Sequence, residues 1–167
     1  MSHRGRFNVL VNALSYEARH VFSRINDASD IPINLRNMVD DLVNIASHSV
    51  KKNYGDKKLE VSMIHNSAHL EAHNAVSMGK TRSKLQHYGK GRALNVQVHG
   101  DAAVCAQGIV SESLCIGKTP NFSVDGTIHI IKNNQIGYTT KPIDSRPSKY
   151  STDLFKSYDI PIIHVNG

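Results

Sequence analysis

Two apolar segments rich in β-branched residues mark the centre of the chain. Residues 94–99 and residues 127–131 lead into polar turns at Gly100 and Asn133, and one helix-sized segment, residues 107–116, lies between them. This succession predicts a strand, a helix and a second strand. Because such a crossover makes the two strands parallel, both turns should lie at the same edge of the sheet, where open α/β sheets bind ligands.

The two polar turns carry oxygen atoms suited to a hard cation. Asp101 supplies a carboxylate, Asn134 an amide oxygen and Ile136 a backbone carbonyl. Such groups hold Mg²⁺ and leave coordination positions for phosphate oxygens. We therefore hypothesise a site for a magnesium-bound diphosphate. Asp101 taken alone is also a typical helix-capping residue.

The remaining patterns predict helices before the central unit and a strand after it. Helices are expected at about residues 8–25, 35–50 and 68–78, with an alternating strand at 59–64. The basic stretch 79–92 is expected to be a surface loop with a short helix. An irregular functional loop is expected at 141–151, a short helix from Thr152, and a parallel strand at 160–165. We predict one partial α/β domain over residues 1–167, a parallel sheet flanked by helices.

Composition and charge narrow the class of partner. The 40% hydrophobic content is typical of a globular protein, and a net charge of +6 favours anionic partners. Basic residues are scattered, aromatic residues make up 6% and Trp is absent, which argues against a nucleic-acid interface. No apolar run approaches the roughly 20 residues that cross a bilayer, so we expect no membrane span. No charged-then-apolar signal segment opens the chain, so no targeting segment is expected in it.

Cysteines and histidines suggest one minor alternative site. Cys105 and Cys115 are ten residues apart, a spacing typical of neither a zinc motif nor a disulfide framework, and we expect buried thiols in a reducing compartment. On a helix, His65, His69 and His73 would share one face, an arrangement that suits zinc binding. We favour zinc less, because His65 is expected in the preceding strand and the His-Glu-x-x-His pattern is absent.

A set of motifs in a fixed order over essentially the whole chain resembles a known enzyme family. The motifs are His-Arg-Gly-Arg (3–6), Asn-Val-Leu (8–10), His-Leu-Glu-Ala (69–72), Gly-Lys-Thr-Arg (79–82), His-Gly-Asp-Ala-Ala (99–103), Gln-Gly-Ile-Val (107–110), Asn-Asn-Gln-Ile-Gly-Tyr-Thr-Thr (133–140), Arg146, Tyr150, Thr-Asp (152–153) and Ile-His-Val-Asn (163–166). The set resembles the thiamine-diphosphate-dependent, decarboxylating first subunit of 2-oxoglutarate dehydrogenase, and within that family the 2-oxoadipate dehydrogenase branch. The resemblance implies the diphosphate-binding half of a transketolase-like fold.

The resemblance also implies roles on the cofactor side. Asp101, Asn134 and the carbonyl of Ile136 would hold Mg²⁺, in agreement with the ligand types argued above. Ala102 would lie beside the diphosphate, and Arg4 would contact the cofactor. The implied cofactors are therefore thiamine diphosphate and Mg²⁺.

On the substrate side the resemblance implies that His3 and His69 face a 2-oxo acid, orient its carboxylate and stabilise charge during decarboxylation. The implied activity is oxidative decarboxylation of 2-oxoglutarate or 2-oxoadipate, with acyl transfer to lipoamide on an acyltransferase subunit. The full-length enzyme would be a homodimer in the mitochondrial matrix, or in the cytoplasm of a bacterium. Residues 66–68 and 73–75 depart from the family pattern, so the substrate side matches less closely than the cofactor side.

The family's second half, which binds the aminopyrimidine ring and supplies the activating glutamate, has no counterpart among these residues. We therefore expect a fragment or a truncated product with little 2-oxo acid decarboxylation of its own. The alternative from another functional class is a non-catalytic remnant that acts as a folding or partner-binding module.

Overall fold

A computed structural model describes residues 5–25, 48–65 and 69–166. The chain divides into two compact units, residues 1–68 and residues 69–167, and each is described by itself. The single partial domain over residues 1–167 stays a prediction.

The first unit begins with a broken helical region. Its segments are α1 (Arg6–Asn8), a π-helical stretch (Val9–Ala13) and α2 (Ala18–Ile25). Ser15 adopts a φ of 58°, a left-handed conformation that a right-handed helix cannot continue through. The predicted uninterrupted helix over residues 8–25 is therefore wrong at residues 14–17, between the π-helical stretch and α2. Leu10, Leu14 and Val21 are buried and supply the apolar core of this unit.

A β-hairpin completes the described part of the first unit. β1 (His48–Tyr54) pairs with β2 (Lys57–Met63) in antiparallel register, and the turn contains Gly55 at a φ of 58°. The strand predicted at 59–64 is confirmed, whereas the helix predicted over 35–50 is wrong at residues 48–50. Facing side chains favour the hairpin, with Val50 opposite Val61. The rest of that predicted helix, residues 35–47, lies outside the described residues.

The second unit contains a parallel strand pair with a helical crossover. Its elements are α3 (His73–Tyr88), β3 (Asn95–Gly100), α4 (Asp101–Ala106), α5 (Gly108–Lys118), β4 (Thr127–Lys132), α6 (Pro142–Ser145) and α7 (Asp153–Lys156). β3 and β4 pair in parallel from Asn95 opposite Thr127 to Gly100 opposite Lys132. The predicted strand–helix–strand unit is confirmed. Its crossover holds two helices rather than one, because extended backbone at Gln107 separates α4 from α5.

Helix α3 differs from its prediction at both ends. It begins at His73 rather than near residue 68, since Glu71 takes a left-handed φ of 67° that ends any earlier helical turn. It then continues through Gly79 to Tyr88, so the stretch 79–92, predicted to be a surface loop with a short helix, is helical for most of its length, and the loop part of that prediction is wrong there. Met78 and Leu85, seven residues apart, are buried on the same face of the helix, and this burial outweighs the low helix propensity of Gly79.

The apolar run at residues 160–165 does not form the predicted strand. These residues have no regular secondary structure, and within the described residues the parallel sheet has two strands, β3 and β4. Asp159 enters the run at a φ of 51°, and the side chains of Ile163 and Val165 remain exposed. The strand prediction is wrong because it rested on hydrophobicity alone, and this segment pairs with no strand among the described residues.

The core of the second unit lies under the crossover helices. It consists of the buried side chains Val104, Val110, Leu114 and Phe155, with Ile131, Leu154, Tyr158 and Ile160 packed against them. The core therefore joins α4 and α5 to the end of β4 and to α7. Among the described residues, no helix is long and apolar enough to cross a membrane.

Both cysteines are free thiols. Cys105 on α4 is partly buried, and burial raises the pKa of its thiol. Cys115 on α5 is exposed, so the prediction of a buried thiol is wrong there.

Candidate functional site

The two polar turns lie at one edge of the parallel sheet. Gly100, the last residue of β3, is opposite Lys132, the last residue of β4. Asp101 and Asn133 therefore follow their strands at the same edge, as the sequence predicted. Asp101 is the first residue of α4 rather than its cap, and the capping position is occupied by Gly100. A carboxylate in this first turn also interacts favourably with the helix dipole.

The carboxylate of Asp101 is buried and only half satisfied. Its residue is 1% exposed. Oδ2 lies 3.1 Å from Nη1 of Arg146, whose side chain is 6% exposed, so the two form a buried ion pair. Oδ1 is buried and has no hydrogen-bond partner among the described residues. Because an unpaired buried carboxylate oxygen is costly, its environment fits the binding of a further cation.

The loop after β4 is held by its own hydrogen bonds. Asn134 Oδ1 accepts a hydrogen bond of 3.0 Å from the backbone N–H of Ile136. Gly137 and Thr140 exchange backbone hydrogen bonds of 3.2 and 2.8 Å. An amide oxygen has a second lone pair, so Asn134 can bind its own loop and a metal ion together.

Small residues allow this loop to approach the start of α4. A Cβ placed on Gly137 would lie 3.1 Å from Cβ of Ala102 and 3.2 Å from the carbonyl oxygen of Thr140. Larger side chains at either position would push the two turns apart. The structure thus brings the loop containing Asn134 against the turn containing Asp101, while their roles as metal ligands stay predictions.

The donor set at this edge fits Mg²⁺ better than zinc. A single carboxylate with amide and carbonyl oxygens is typical of a hard cation that also binds phosphate. Within the described ranges there is no cluster of three or more His, Cys, Asp or Glu side chains placed to hold a metal. His65, His69 and His73 also do not share a helix face, because α3 begins at His73 and His69 lies before it.

The predicted substrate-side residues are only partly described. His3 and Arg4 lie outside the described residues. His69 lies in the turn before α3, where its carbonyl accepts a 3.4 Å hydrogen bond from the N–H of Ala72. Arg6, from the same motif as His3, is 1% exposed and donates a 3.0 Å hydrogen bond to the carbonyl of Ile64. The hydrogen bond of Arg6 to Ile64 lies inside the first unit, and burial lowers the pKa of its guanidinium.

A buried polar network behind the site was missed by the sequence reasoning. His99 Nδ1 lies 2.7 Å from Oε2 of Glu71, and His99 Nε2 lies 3.0 Å from Nδ1 of His129. Burial opposes ionisation of Glu71, but the contacts with His99 and Asn74 hold its pKa below the usual range. Burial, aided by the charge of His99, lowers the pKa of His129 to about 4. The sequence did carry one signal for this network, since each of the two apolar strands contains a histidine, His99 in β3 and His129 in β4.

We expect the stability of the second unit to fall as the pH decreases from about 6.5 to about 4. His129 stays neutral in the folded state down to its pKa of about 4, whereas an unfolded histidine titrates near 6.5. Between these values the unfolded chain binds more protons, so acid favours unfolding, and the contribution is complete above about pH 6.5. Urea unfolding followed across this range measures the slope. Glu71 acts in the same direction at lower pH, so His129→Gln is needed to isolate the histidine; an unchanged slope in that variant contradicts the assignment.

Comparison with known proteins adds the family context. A family model described as "Dehydrogenase E1 component" matches residues 1–167. The mitochondrial 2-oxoglutarate dehydrogenase of Dictyostelium discoideum is 41% identical over 172 residues, which cover 100% of this chain and 17% of that protein. The 2-oxoadipate dehydrogenase complex component E1 of Homo sapiens is 39% identical over 180 residues, covering 100% of this chain and 20% of that protein. The chain thus spans about a fifth of the length of these relatives, and the two similar identities leave the 2-oxoadipate branch a prediction.

Proposed function

The chain belongs to the dehydrogenase E1 component family, and we propose from this membership that it supplies the diphosphate-binding part of a thiamine-diphosphate-dependent 2-oxo acid dehydrogenase. The proposed architecture is the diphosphate-side half of a transketolase-like fold. Relatives are named for 2-oxoglutarate or 2-oxoadipate, so the proposed substrate is a 2-oxo dicarboxylic acid.

The observation that carries the proposal is the buried Oδ1 of Asp101, which has no hydrogen-bond partner in the described part of the chain and belongs to the turn that meets the loop containing Asn134. In the proposed site Asp101, Asn134 and the carbonyl of Ile136 hold Mg²⁺, and the small side chain of Ala102 leaves room for the diphosphate. Arg146 balances the charge of Asp101 through Oδ2 and leaves Oδ1 for the metal. This division suits a ligand that itself brings negative phosphate oxygens.

The substrate side of the proposal depends on the first motif and on the turn before α3. Thiamine diphosphate, when bound, supplies the nucleophilic carbon and the electron sink for decarboxylation. Arg4 contacts the cofactor, and His3 and His69 bind the substrate carboxylate and orient the 2-oxo group. Of these three residues, His69 alone lies in the described part of the chain.

The wider activity is part of the same proposal. In the longer enzyme the acyl group passes to lipoamide on an acyltransferase subunit, and two copies of the enzyme form a homodimer. A mitochondrial location is proposed from relatives whose names state it. The 167-residue chain alone is expected to bind the diphosphate end of the cofactor but to show little turnover of substrate.

Calorimetric titration of the 167-residue chain tests the proposal. We expect thiamine diphosphate to bind in the presence of Mg²⁺ and not after its removal by a chelator. Inorganic pyrophosphate with Mg²⁺ should compete, because the proposed site holds the diphosphate end, whereas thiamine without phosphates should not bind. Absence of magnesium-dependent binding by both diphosphates would overturn the proposal and favour a non-catalytic remnant.

A further inference from the structure

We infer that Glu71 is a positioning residue that ties the turn containing His69 to the end of β3, which Asp101 follows, so that one buried carboxylate–imidazole hydrogen bond sets the substrate side and the metal side of the site together. The inference rests on the proposed function for the roles of His69 and Asp101. The coupling itself rests on the contacts of Glu71, which belong to the second unit alone.

The backbone at Glu71 is held in an uncommon conformation. Its φ of 67° is left-handed, although the residue is not glycine. Such a conformation costs of order 1–3 kcal/mol and persists only when the surroundings determine it. Two hydrogen bonds span the turn: Ala72 N–H to the His69 carbonyl at 3.4 Å and Asn74 N–H to the Glu71 carbonyl at 3.0 Å. A change at Glu71 is therefore transmitted to the backbone of His69 within one turn.

The side chain of Glu71 supplies the other end of the connection. Its carboxylate, 4% exposed, accepts hydrogen bonds from Nδ1 of His99 at 2.7 Å and from Nδ2 of Asn74 at 2.8 Å. Both contacts are to the same oxygen, Oε2, and the ionised form of Glu71 is the better acceptor. A carboxylate in this position also fixes a proton on Nδ1 of His99.

His99 is held on its second side as well. Its Nε2 lies 3.0 Å from Nδ1 of His129, and the two rings stack at a centroid distance of 5.2 Å. His99 lies near the end of β3, two residues before Asp101, the first residue of α4. The side chain of Gln97 adds a parallel link by donating to the carbonyl of Asn74 at 3.1 Å. The start of α3 is thus joined to β3 by polar contacts in the interior, where their geometry is specific.

The direct test compares Glu71→Gln with Glu112→Gln in the 167-residue chain. Glu112 is exposed on α5, so its substitution removes the same charge without touching the network. In ¹H–¹⁵N spectra, Glu71→Gln should shift the amides of residues 69–72 and also those of residues 100–102. Glu112→Gln should leave both groups in place. Shifts confined to residues 69–74 would overturn the inference, because the turn would then be independent of the metal side.

A measurement on the unmodified chain covers the case in which Glu71→Gln does not fold. Long-range ¹H–¹⁵N correlations distinguish the two imidazole nitrogens, and we expect a hydrogen-bonded proton on Nδ1 of His99. A His99 ring without a proton on Nδ1 would overturn the inference, because no charge-assisted bond to Glu71 would then exist. Glu71→Asp keeps the charge but shortens the side chain. The fraction of His99 with a proton on Nδ1 should therefore be closer to that of the unmodified chain in Glu71→Asp than in Glu71→Gln.

Cofactor binding separates this inference from the proposed function. Glu71→Gln should raise the Kd for thiamine diphosphate with Mg²⁺ by roughly 10-fold or more, the effect typical of residues that orient metal ligands. Glu112→Gln should not change it. An unchanged Kd in Glu71→Gln would overturn the positioning role. If the unsubstituted chain binds no cofactor, the proposed function fails, and the amide shifts still decide whether Glu71 couples the two turns.

Discussion

Replacement of Asp101 by alanine is expected to abolish magnesium-dependent binding of thiamine diphosphate by the 167-residue chain. Asp101 offers the one carboxylate of the proposed ligand set, and its Oδ1 is buried without a hydrogen-bond partner among the described residues. Outer-shell partners of metal ligands are already worth about 10–100-fold in affinity, so loss of a direct ligand should raise the Kd by more than about 100-fold. Calorimetric titration with and without Mg²⁺ measures the change.

The same substitution has a second effect that must be separated from the first. It leaves the guanidinium of Arg146, 6% exposed, without its carboxylate partner. Removal of one member of a buried ion pair typically destabilises a protein by about 3–5 kcal/mol. Asp101→Ala alone is therefore expected to lower the midpoint of urea unfolding as well as to abolish binding.

The double variant Asp101→Ala with Arg146→Ala distinguishes loss of a ligand from loss of the fold. Because both charges are removed, most of the lost stability should return, while magnesium-dependent binding should not. Asp144→Ala is a matched control, since Asp144 is exposed on α6 and should affect neither property. Retention of normal binding in a folded double variant would show that Asp101 is not a metal ligand.

The parts of the site that the sequence predicted are those that depend on the pattern of apolar and polar residues within single segments. Apolar strands followed by polar turns placed Asp101 and Asn134 at one edge of a parallel pair, because strand direction and crossover geometry leave few alternatives. The close approach of the two turns also has a local signal, since Gly137 and Ala102 are both small. The roles of His3 and Arg4 came from resemblance alone and lie outside the described residues.

The parts that sequence did not predict depend on contacts between distant residues. The Asp101–Arg146 pair joins positions 45 residues apart, and the Glu71–His99 contact joins positions 28 residues apart. No periodicity encodes such pairings. The left-handed backbone at Glu71 is likewise stabilised by tertiary contacts, and for this reason the predicted helix is wrong at residues 69–72. The strand predicted at residues 160–165 is wrong for a related reason. A strand needs a neighbouring strand to pair with, and the apolar pattern of one segment does not show whether such a neighbour exists.

Replacement of Phe155 by alanine is expected to destabilise the second unit by about 3–5 kcal/mol, the cost of removing a large aromatic side chain from a packed core. Phe155 is 2% exposed, packs with Val104, Val110 and Leu114, and its ring centroid lies 4.9 Å from that of His129. Since native stability is typically about 5–15 kcal/mol, this loss is a large fraction of the total. Urea unfolding monitored by circular dichroism measures it.

Phe122→Ala provides the control for this prediction, because Phe122 is 62% exposed and its loss should change stability by no more than about 0.5 kcal/mol. The consequence for the site follows from the length of α7, which has four residues and cannot persist without tertiary contacts. Phe155 anchors α7 nine residues after Arg146, so loosening it should also weaken the hold of Arg146 on Asp101. Equal stability of the Phe155 and Phe122 variants would show that the core under the crossover does not support this edge of the sheet.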